Sequence, residues 1–281
     1  MKISLCPMAI GSYLRPLQGE VMDSSMPEAA LDTVKSALTK VSNMGYDGIE
    51  TATPSVFSCP QEFRDFMDSI NLEVLTCGGL TYDELKYGDL KDKIAECKTL
   101  GAKNVMIGQM PHECAGNYDE LLAFCRAMNR AGKILADEGI ALSYHNHACD
   151  FAKVNGQSHL QIILDNTCDK SVFFELDTHW LQSGGAHVIS WIKKTAGRVR
   201  FIHFKDYGID EYSDTNWLEC THKLWMEIGQ GNLNWPGIIE ACKEAKIEWC
   251  SVEQDVVRRP GFEASKISVD YLHSLGIGAK R

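Results

Sequence analysis

Short apolar runs alternate with longer amphipathic stretches along the whole chain. Eight runs have the length and composition of buried β-strands, and they cover residues 3–9, 47–50, 73–77, 104–107, 140–145, 172–176, 199–204 and 248–252. Helical periodicity and capping residues predict helices between most of them, over residues 27–44, 61–70, 82–100, 118–138, 159–165, 188–195, 236–245 and 263–275. A loop over residues 10–26 and an insertion over residues 207–234 interrupt the alternation.

This alternation predicts an α/β fold in which parallel strands are joined by helices. With eight strands, a chain of 281 residues favours a single (β/α)₈ TIM barrel domain over residues 1–281. The alternative is an open, doubly wound sheet. A glycine-rich G-x-G-x-x-G turn, which such sheets carry after the first strand when they bind dinucleotides, does not follow residues 3–9.

Polar clusters follow several of the apolar runs. The fifth run ends in Ser143-Tyr-His-Asn-His147, and later runs end in Phe173-Phe-Glu-Leu-Asp177, Phe201-Ile-His-Phe-Lys-Asp206 and Trp249-Cys-Ser-Val-Glu-Gln-Asp255. Side chains alternate between the two faces of a strand, so residues two apart share a face. Because the carboxyl ends of parallel strands meet at one end of a barrel, these side chains are expected to converge.

The converging residue types predict a site for one divalent metal ion. The proposed ligands are His147 or His145, together with Asp177, His203 and Glu253. Mixed imidazole and carboxylate ligands suit Mn²⁺, Zn²⁺, Co²⁺ or Fe²⁺, with Mg²⁺ also considered, more than they suit Ca²⁺. A lone His or Asp at a strand end can instead anchor a loop by hydrogen bonds.

Further residues are candidates for catalysis or substrate binding. Lys205 lies two residues beyond a predicted ligand, so it is expected to point into the barrel, where it needs a carboxylate partner. Glu50 and Gln109 follow the second and fourth strands, and His112 lies on the loop after Gln109. Trp180 offers an apolar wall for a sugar ring. A solvated loop residue or a core side chain is the alternative interpretation for each of Glu50, Gln109, His112 and Trp180. Glu175 lies deeper and either orients a ligand or is held in the barrel floor.

The composition narrows the possible partners. The formal charge of −10 argues against nucleic acid, because phosphate binding depends on clustered Lys and Arg. Eleven scattered cysteines show no Cys-x-x-Cys pair, which indicates thiols of a reducing compartment. No signal peptide or membrane-spanning run is recognised, so we expect a cytoplasmic protein that acts on a small-molecule sugar. A homo-oligomer is compatible with the sequence.

Several motifs together resemble the sugar phosphate isomerase/epimerase superfamily, the xylose isomerase-like TIM barrels. The resemblance spans most of the chain. It rests on Gly45-Tyr-Asp-Gly-Ile-Glu50, Leu100-Gly-Ala-Lys-Asn-Val105, Tyr144-His-Asn-His147, Glu175-Leu-Asp177, His203-Phe-Lys-Asp206, Ile228-Gly-Gln-Gly-Asn-Leu-Asn-Trp235 and Val252-Glu-Gln-Asp255. The family's epimerases bind their metal through Glu, Asp, His and Glu, and the resemblance carries the last three over to Asp177, His203 and Glu253. The first Glu falls in the run that contains His145 and His147, where this chain has imidazole instead of carboxylate.

The resemblance implies an isomerase or epimerase of a sugar or keto-sugar. Glu253 would abstract a proton next to a metal-bound carbonyl to give an enediolate, and His145 or Lys205 would supply the second acid-base group. Elimination from the same intermediate, by a dehydratase or lyase acting on an inosose or a 3-keto glycoside, is the main alternative. An endonuclease IV-like DNA repair enzyme and a non-catalytic sugar-binding protein are further alternatives.

Overall fold

The computed structural model describes residues 1–14, 26–209 and 223–278 of the chain. In chain order, its strands are β1 Lys2–Leu5, β2 Gly48–Ile49, β3 Glu73–Val74, β4 Thr76–Gly79, β5 Asn104–Ile107, β6 Ala141–His145, β7 Lys153–Val154, β8 Gln157–Ser158, β9 Val172–Asp177, β10 Val199–Phe204, β11 Asp206–Ile209, β12 Lys223–Met226 and β13 Trp249–Val252. Its helices are α1 Gly11–Leu14, α2 Met26–Asn43, α3 Pro60–Ser69, α4 Tyr82–Tyr87, α5 Lys91–Leu100, α6 Tyr118–Ala136, α7 His159–Asn166, α8 Thr178–Ser183, α9 Val188–Lys194, α10 Trp235–Glu244 and α11 Gly261–Ser274.

The main sheet is a nearly closed parallel barrel. Its strand order is β3-β2-β1-β13-β10-β9-β6-β5-β4. The two terminal segments, β3 and β4, are separated only by Leu75, so they form one interrupted strand through which the ring closes. The barrel predicted from the alternating pattern is therefore confirmed, and the open-sheet alternative is wrong.

Burial on both faces explains why the barrel strands read as continuous apolar runs. Every residue of β6 and β9 is buried. Tyr144 of β6 packs edge-on between Phe124 of α6 and Phe174 of β9, with ring centroids 6.0 and 6.4 Å apart. Outward-facing residues of the strands thus pack under the helices, and the polar residues that face inward are left at the barrel mouth.

Local chemistry explains where the predicted elements end differently in the structure. The predicted first strand over residues 3–9 stops at Leu5, because Pro7 lacks an N–H and begins a 3₁₀ turn over Pro7–Ile10. The predicted helix over residues 82–100 divides into α4 and α5, since Leu90 adopts a left-handed conformation with φ of 60°. The predicted insertion contains the antiparallel pair β11–β12, and residues 210–222 and 15–25 lie outside the described part.

Two elements that pattern analysis did not predict lie next to the barrel mouth. Helix α8 starts immediately after β9, and the side chain of Asp177 caps its first turn. The short hairpin β7–β8 follows a 3₁₀ turn over Ala148–Phe151. A search of the described ranges for a helix with the length and apolar character of a membrane span finds none.

Candidate metal centre

Four ligand-type side chains converge at the carboxyl end of the barrel. His145, Asp177, His203 and Glu253 each offer one ligand atom, and these atoms all lie within 4.8 Å of one another. The four residues belong to or directly follow β6, β9, β10 and β13, which are consecutive around the ring. All four are buried, so the polar cluster is shielded from bulk water.

Asp177 is held by backbone contacts on both sides. Its Oδ1 accepts a hydrogen bond from the Trp180 backbone N–H at 2.7 Å, and its own N–H donates to Asn146 Oδ1 at 3.0 Å. Its Oδ2 makes no hydrogen bond within the described part of the chain and lies 3.3 Å from Lys205 Nζ. One oxygen therefore fixes the side chain, and the other is directed at the cluster.

His203 lies among three carboxylates. Its Nδ1 is 2.9 Å from Glu253 Oε2, and its Nε2 is 3.1 Å from Glu50 Oε2 and 2.9 Å from Glu175 Oε1. Burial alone would lower the pKa of His203, but the charges of Glu50, Glu253 and Glu175 outweigh it and hold this pKa well above its ordinary value. Glu175 thus contacts the imidazole from beneath, as a residue that orients a ligand would.

The buried ammonium group of Lys205 contacts two of the candidate ligands and also Asp255. Its Nζ lies 2.9 Å from Glu253 Oε2 and 2.8 Å from Asp255 Oδ2, in addition to its contact with Asp177. The ammonium group also lies 4.9 Å from the centre of the Trp180 ring. Burial would lower the pKa of Lys205, but Asp177, Glu253 and Asp255 outweigh it and raise this pKa.

The two histidines at the end of β6 and just beyond it occupy different places. His145 is the last residue of β6, and its ring centre lies 4.6 Å from that of His203. His147 lies one step outside the converging set, with its ring 4.8 Å from His145 and 5.3 Å from Trp180. The ligand-type group thus contains His145, whereas the sequence left His147 and His145 as alternative ligands. Burial, reinforced by neighbouring cations, lowers the pKa of both imidazoles, so both are neutral at pH 7.

The donor set and its charge fit a divalent cation. Burial raises the pKa of Glu175 to about 7, with Glu50 adding to the effect, and burial raises the pKa of Asp177 to about 7 although Lys205 opposes it. At both carboxyl groups burial outweighs the nearby cations, and a bound cation would favour the ionised form. His145 Nδ1 and Asp177 Oδ2 are buried without a hydrogen bond among the described residues. His145, Asp177, His203 and Glu253 would therefore hold a metal ion.

Two cavities adjoin the candidate metal centre. The first, of about 610 Å³, is lined by Glu50 and Cys6 and is called the Glu50 cavity below. The second, of about 560 Å³, is called the His147 cavity, and its lining includes the predicted substrate-binding residues Gln109, His112 and Trp180. Glu50 is buried and contacts His203, so it lies deeper than a residue at the pocket mouth.

Cys6, Asn146 and Asp255 also reach the centre, although the sequence analysis gave them no role. Cys6 Sγ lies 3.5 Å from Glu253 Oε1, and Asn146 fixes the Asp177 backbone. Asp255 shares strand parity with Glu253, a signal that could have identified it as the partner of Lys205. Cys6 follows β1 directly, so the rule that polar residues at strand ends converge would have included it.

Comparison with known proteins places the chain in a family. A family model described as xylose isomerase-like TIM barrel matches residues 38–275, and the chain belongs to this family. An inosose dehydratase of Mesomycoplasma hyopneumoniae strain 7448 is 24% identical over 280 residues, covering 90% of this chain and 92% of that protein.

Solved structures show the same fold at low identity. A sugar phosphate isomerase/epimerase from Parabacteroides distasonis superposes with a TM-score of 0.75 at 21% identity, covering 97% of this chain and 96% of that one. A zinc-bound IOLI protein superposes with a TM-score of 0.64 at 16% identity, with full coverage of both chains. The similar proteins include isomerases or epimerases and dehydratases. Similarity alone therefore does not select one reaction for this chain.

Proposed function

We propose that this protein is a divalent-metal-dependent isomerase or epimerase of a sugar or keto-sugar. The observation that supports this proposal most strongly is the buried group His145, Asp177, His203 and Glu253, with the Lys205 ammonium group in contact with two of its carboxylates. Bound there, a divalent ion would act as a Lewis acid that makes the carbon next to a substrate carbonyl more acidic. Two imidazoles and two carboxylates favour Zn²⁺, Mn²⁺, Co²⁺ or Fe²⁺.

The protein residues divide the proton transfer between them. His203 and Lys205 outweigh burial and hold the pKa of Glu253 well below its usual range, so Glu253 is ionised at pH 7 and can accept the substrate proton. Lys205 stays protonated and can donate a hydrogen bond to the oxygen on which negative charge develops. Glu253 can return the proton it has accepted to the neighbouring carbon, which completes an isomerisation, and the neutral imidazole of His147 can accept a proton on the side of Trp180.

Dehydration of an inosose or elimination from a 3-keto glycoside is the second candidate. Two-base epimerisation commonly needs a base on each face of the reacting carbon, and the resemblance puts the epimerases' first Glu in the run that contains His145 and His147, where this chain has imidazoles. Elimination needs one base and one acid, which Glu253 and Lys205 supply 2.9 Å apart. The similarity to inosose dehydratases supports this candidate independently.

Turnover in deuterated water tests the step that both candidates share. The purified protein is loaded with Zn²⁺, Mn²⁺ or Co²⁺ and incubated with ketoses, inososes and 3-keto glycosides, and deuterium incorporation is followed by NMR. We expect deuterium on the carbon next to the carbonyl. Recovery of an isomer or epimer supports the first candidate, and recovery of an unsaturated product supports the second. Transfer of the original hydrogen between adjacent carbons, with a primary isotope effect, would contradict both because it indicates a hydride shift.

A matched variant tests Glu253 as the base, with bound metal measured alongside because Glu253 is also a candidate ligand. Glu253→Gln keeps the size of the side chain and one oxygen but removes its basicity. We expect exchange to fall by roughly 10²-fold or more while the circular dichroism spectrum is retained. Exchange that persists in this variant at the wild-type rate would exclude Glu253 as the base.

A further inference from the structure

The Glu50 cavity and the His147 cavity reach the candidate metal centre from opposite pairs of its ligands. On one side, Cys6 contacts Glu253 and Glu50 contacts His203. On the other side, the ring of His147 lies against His145, and the Trp180 backbone N–H is bonded to Asp177. Residues in direct contact with the four ligands therefore line both cavities.

The two cavities differ in the chemistry of their walls. The Glu50 cavity is lined by apolar residues such as Met8, Val56 and Met106, and also by Glu50 and four hydroxyl-bearing residues that suit the hydroxyls of a sugar, namely Thr51, Thr53, Ser55 and Thr76. The His147 cavity has mainly apolar walls, formed by Met110, Pro111, Ala115, Ala148, Ala152 and the ring of Trp180. These walls suit an aromatic or otherwise apolar group.

The charged residues that line the two cavities within the described part of the chain favour an unphosphorylated substrate. Glu50 is the only formally charged residue that lines the Glu50 cavity within the described part of the chain. Lys153 is the only one that lines the His147 cavity, and it is exposed. A phosphate group usually needs several cationic or backbone N–H donors, and a single exposed lysine gives little binding energy in water.

We infer that the substrate is an unphosphorylated keto-sugar bearing an apolar substituent, with the sugar ring in the Glu50 cavity and the substituent in the His147 cavity. The inference rests on the proposed function for the reaction at the metal centre and adds the substrate class. Each cavity has a volume in the range of small-molecule sites, about 300–1,000 Å³, so a single sugar ring leaves the second one unfilled.

The turnover test compares 3-keto-glucose with 4-nitrophenyl 3-keto-β-glucoside, which carries an aromatic substituent. Burial of one aromatic ring should favour the nitrophenyl compound by roughly 10- to 100-fold in kcat/KM. Ala152→Trp places a large ring in the His147 cavity from an exposed position and should lower this preference to about threefold or less. Ala115→Trp, on the same cavity, repeats the test should Ala152→Trp fail to fold.

Two size-matched controls separate the cavities. Ala52→Trp fills the Glu50 cavity, so it should lower kcat/KM for both compounds and leave their ratio within about twofold of wild type. Ala196→Trp lies on an exposed loop before β10, at the opposite end of the barrel, and should change neither value. A preference that survives Ala152→Trp and Ala115→Trp, or turnover of 3-keto-glucose alone, would overturn the inference.

Equilibrium binding keeps this inference separate from the proposed function. The probe is 4-nitrophenyl β-glucoside, which lacks the ketone and does not react, titrated calorimetrically into metal-free protein. Binding to wild type that weakens by about tenfold or more in Ala152→Trp supports the subsite even if no ketone is turned over. Absence of binding, or equal binding by the variant, would overturn the subsite whatever the outcome of the exchange experiment.

Discussion

Replacing Asp206 should destabilise the protein strongly, because its buried carboxylate organises the loop before α10. Oδ2 accepts hydrogen bonds from the backbone N–H groups of Gly229 and Gly231 and from Trp235 Nε1, at 2.9, 3.0 and 2.7 Å. Oδ1 accepts from the N–H groups of Tyr207 and Leu233, at 2.7 and 3.3 Å. The carboxylate thereby links the segment beside Lys205 to the loop that leads into α10.

The size of the effect follows from the donors that Asp206→Ala leaves without an acceptor. Trp235 is buried, so water cannot replace the lost acceptor of its indole N–H, and one such group costs about 1–3 kcal/mol. The loop glycines and Leu233 are partly exposed, so water can reach their N–H groups and the five bonds will not contribute additively. We therefore expect Asp206→Ala to lower the free energy of unfolding by about 4 kcal/mol.

Urea unfolding followed by circular dichroism measures this loss as a lower midpoint. Asp206→Asn is the matched control. Its single carbonyl oxygen can serve the three donors on the Oδ2 side, but its amide group then faces the N–H groups of Tyr207 and Leu233. It should lose roughly half as much stability as the alanine variant. A loss below about 1 kcal/mol for Asp206→Ala would show that the loop is held by other contacts.

Three further predictions concern the metal centre. His145→Ala should lose bound divalent metal whereas His147→Ala should retain it, as measured by elemental analysis; the reverse result would assign His147 as the ligand. Lys205→Met should retain metal and lose turnover by roughly 10²-fold or more, and wild-type turnover would exclude Lys205 as an acid. Glu175 has a pKa of about 7, raised from 4.5. Between these two pH values the Glu175 carboxyl group is protonated in the folded metal-free protein and ionised in the unfolded chain. The protein's stability should fall as pH rises from about 5 to 8, less steeply in Glu175→Gln, and an unchanged slope would contradict the role of burial at Glu175.

Strand periodicity predicted most of the barrel because strands that are buried on both faces leave long apolar runs. Helical periodicity missed the break at Leu90, where a left-handed residue divides the predicted helix, because leucine carries no signal for that conformation. It also missed α8, a short helix that begins directly after β9. Asp177 caps the first turn of this helix through one oxygen, which accepts a hydrogen bond from the Trp180 N–H. Its other oxygen faces Lys205, so the capping role is compatible with a ligand role.

Strand periodicity also explains which site residues could be anticipated. His203 and Lys205 share a face, as do Glu253 and Asp255, and the structure brings all four of these side chains to the barrel mouth. The choice between His145 and His147 could not be made in this way. The strand ends at His145, and His147 precedes a 3₁₀ turn in which the two-residue alternation no longer applies. The contact between Glu50 and His203 joins residues distant in sequence, so it depends on the closed ring.

Two residues, His145 and Lys205, make the candidate metal centre less negative. A ligand set that contains His145 would be one unit less negative than a set with a carboxylate in its place. Lys205 adds a further positive charge 2.9 Å from Glu253, and Asp255 lies 2.8 Å from the same ammonium group. Positive charge fixed in a buried site stabilises an anion that develops beside it far more than it would in water. Under the proposed function, this charge would stabilise an enediolate-like transition state, and the Lys205 ammonium group would protonate the departing oxygen of an elimination.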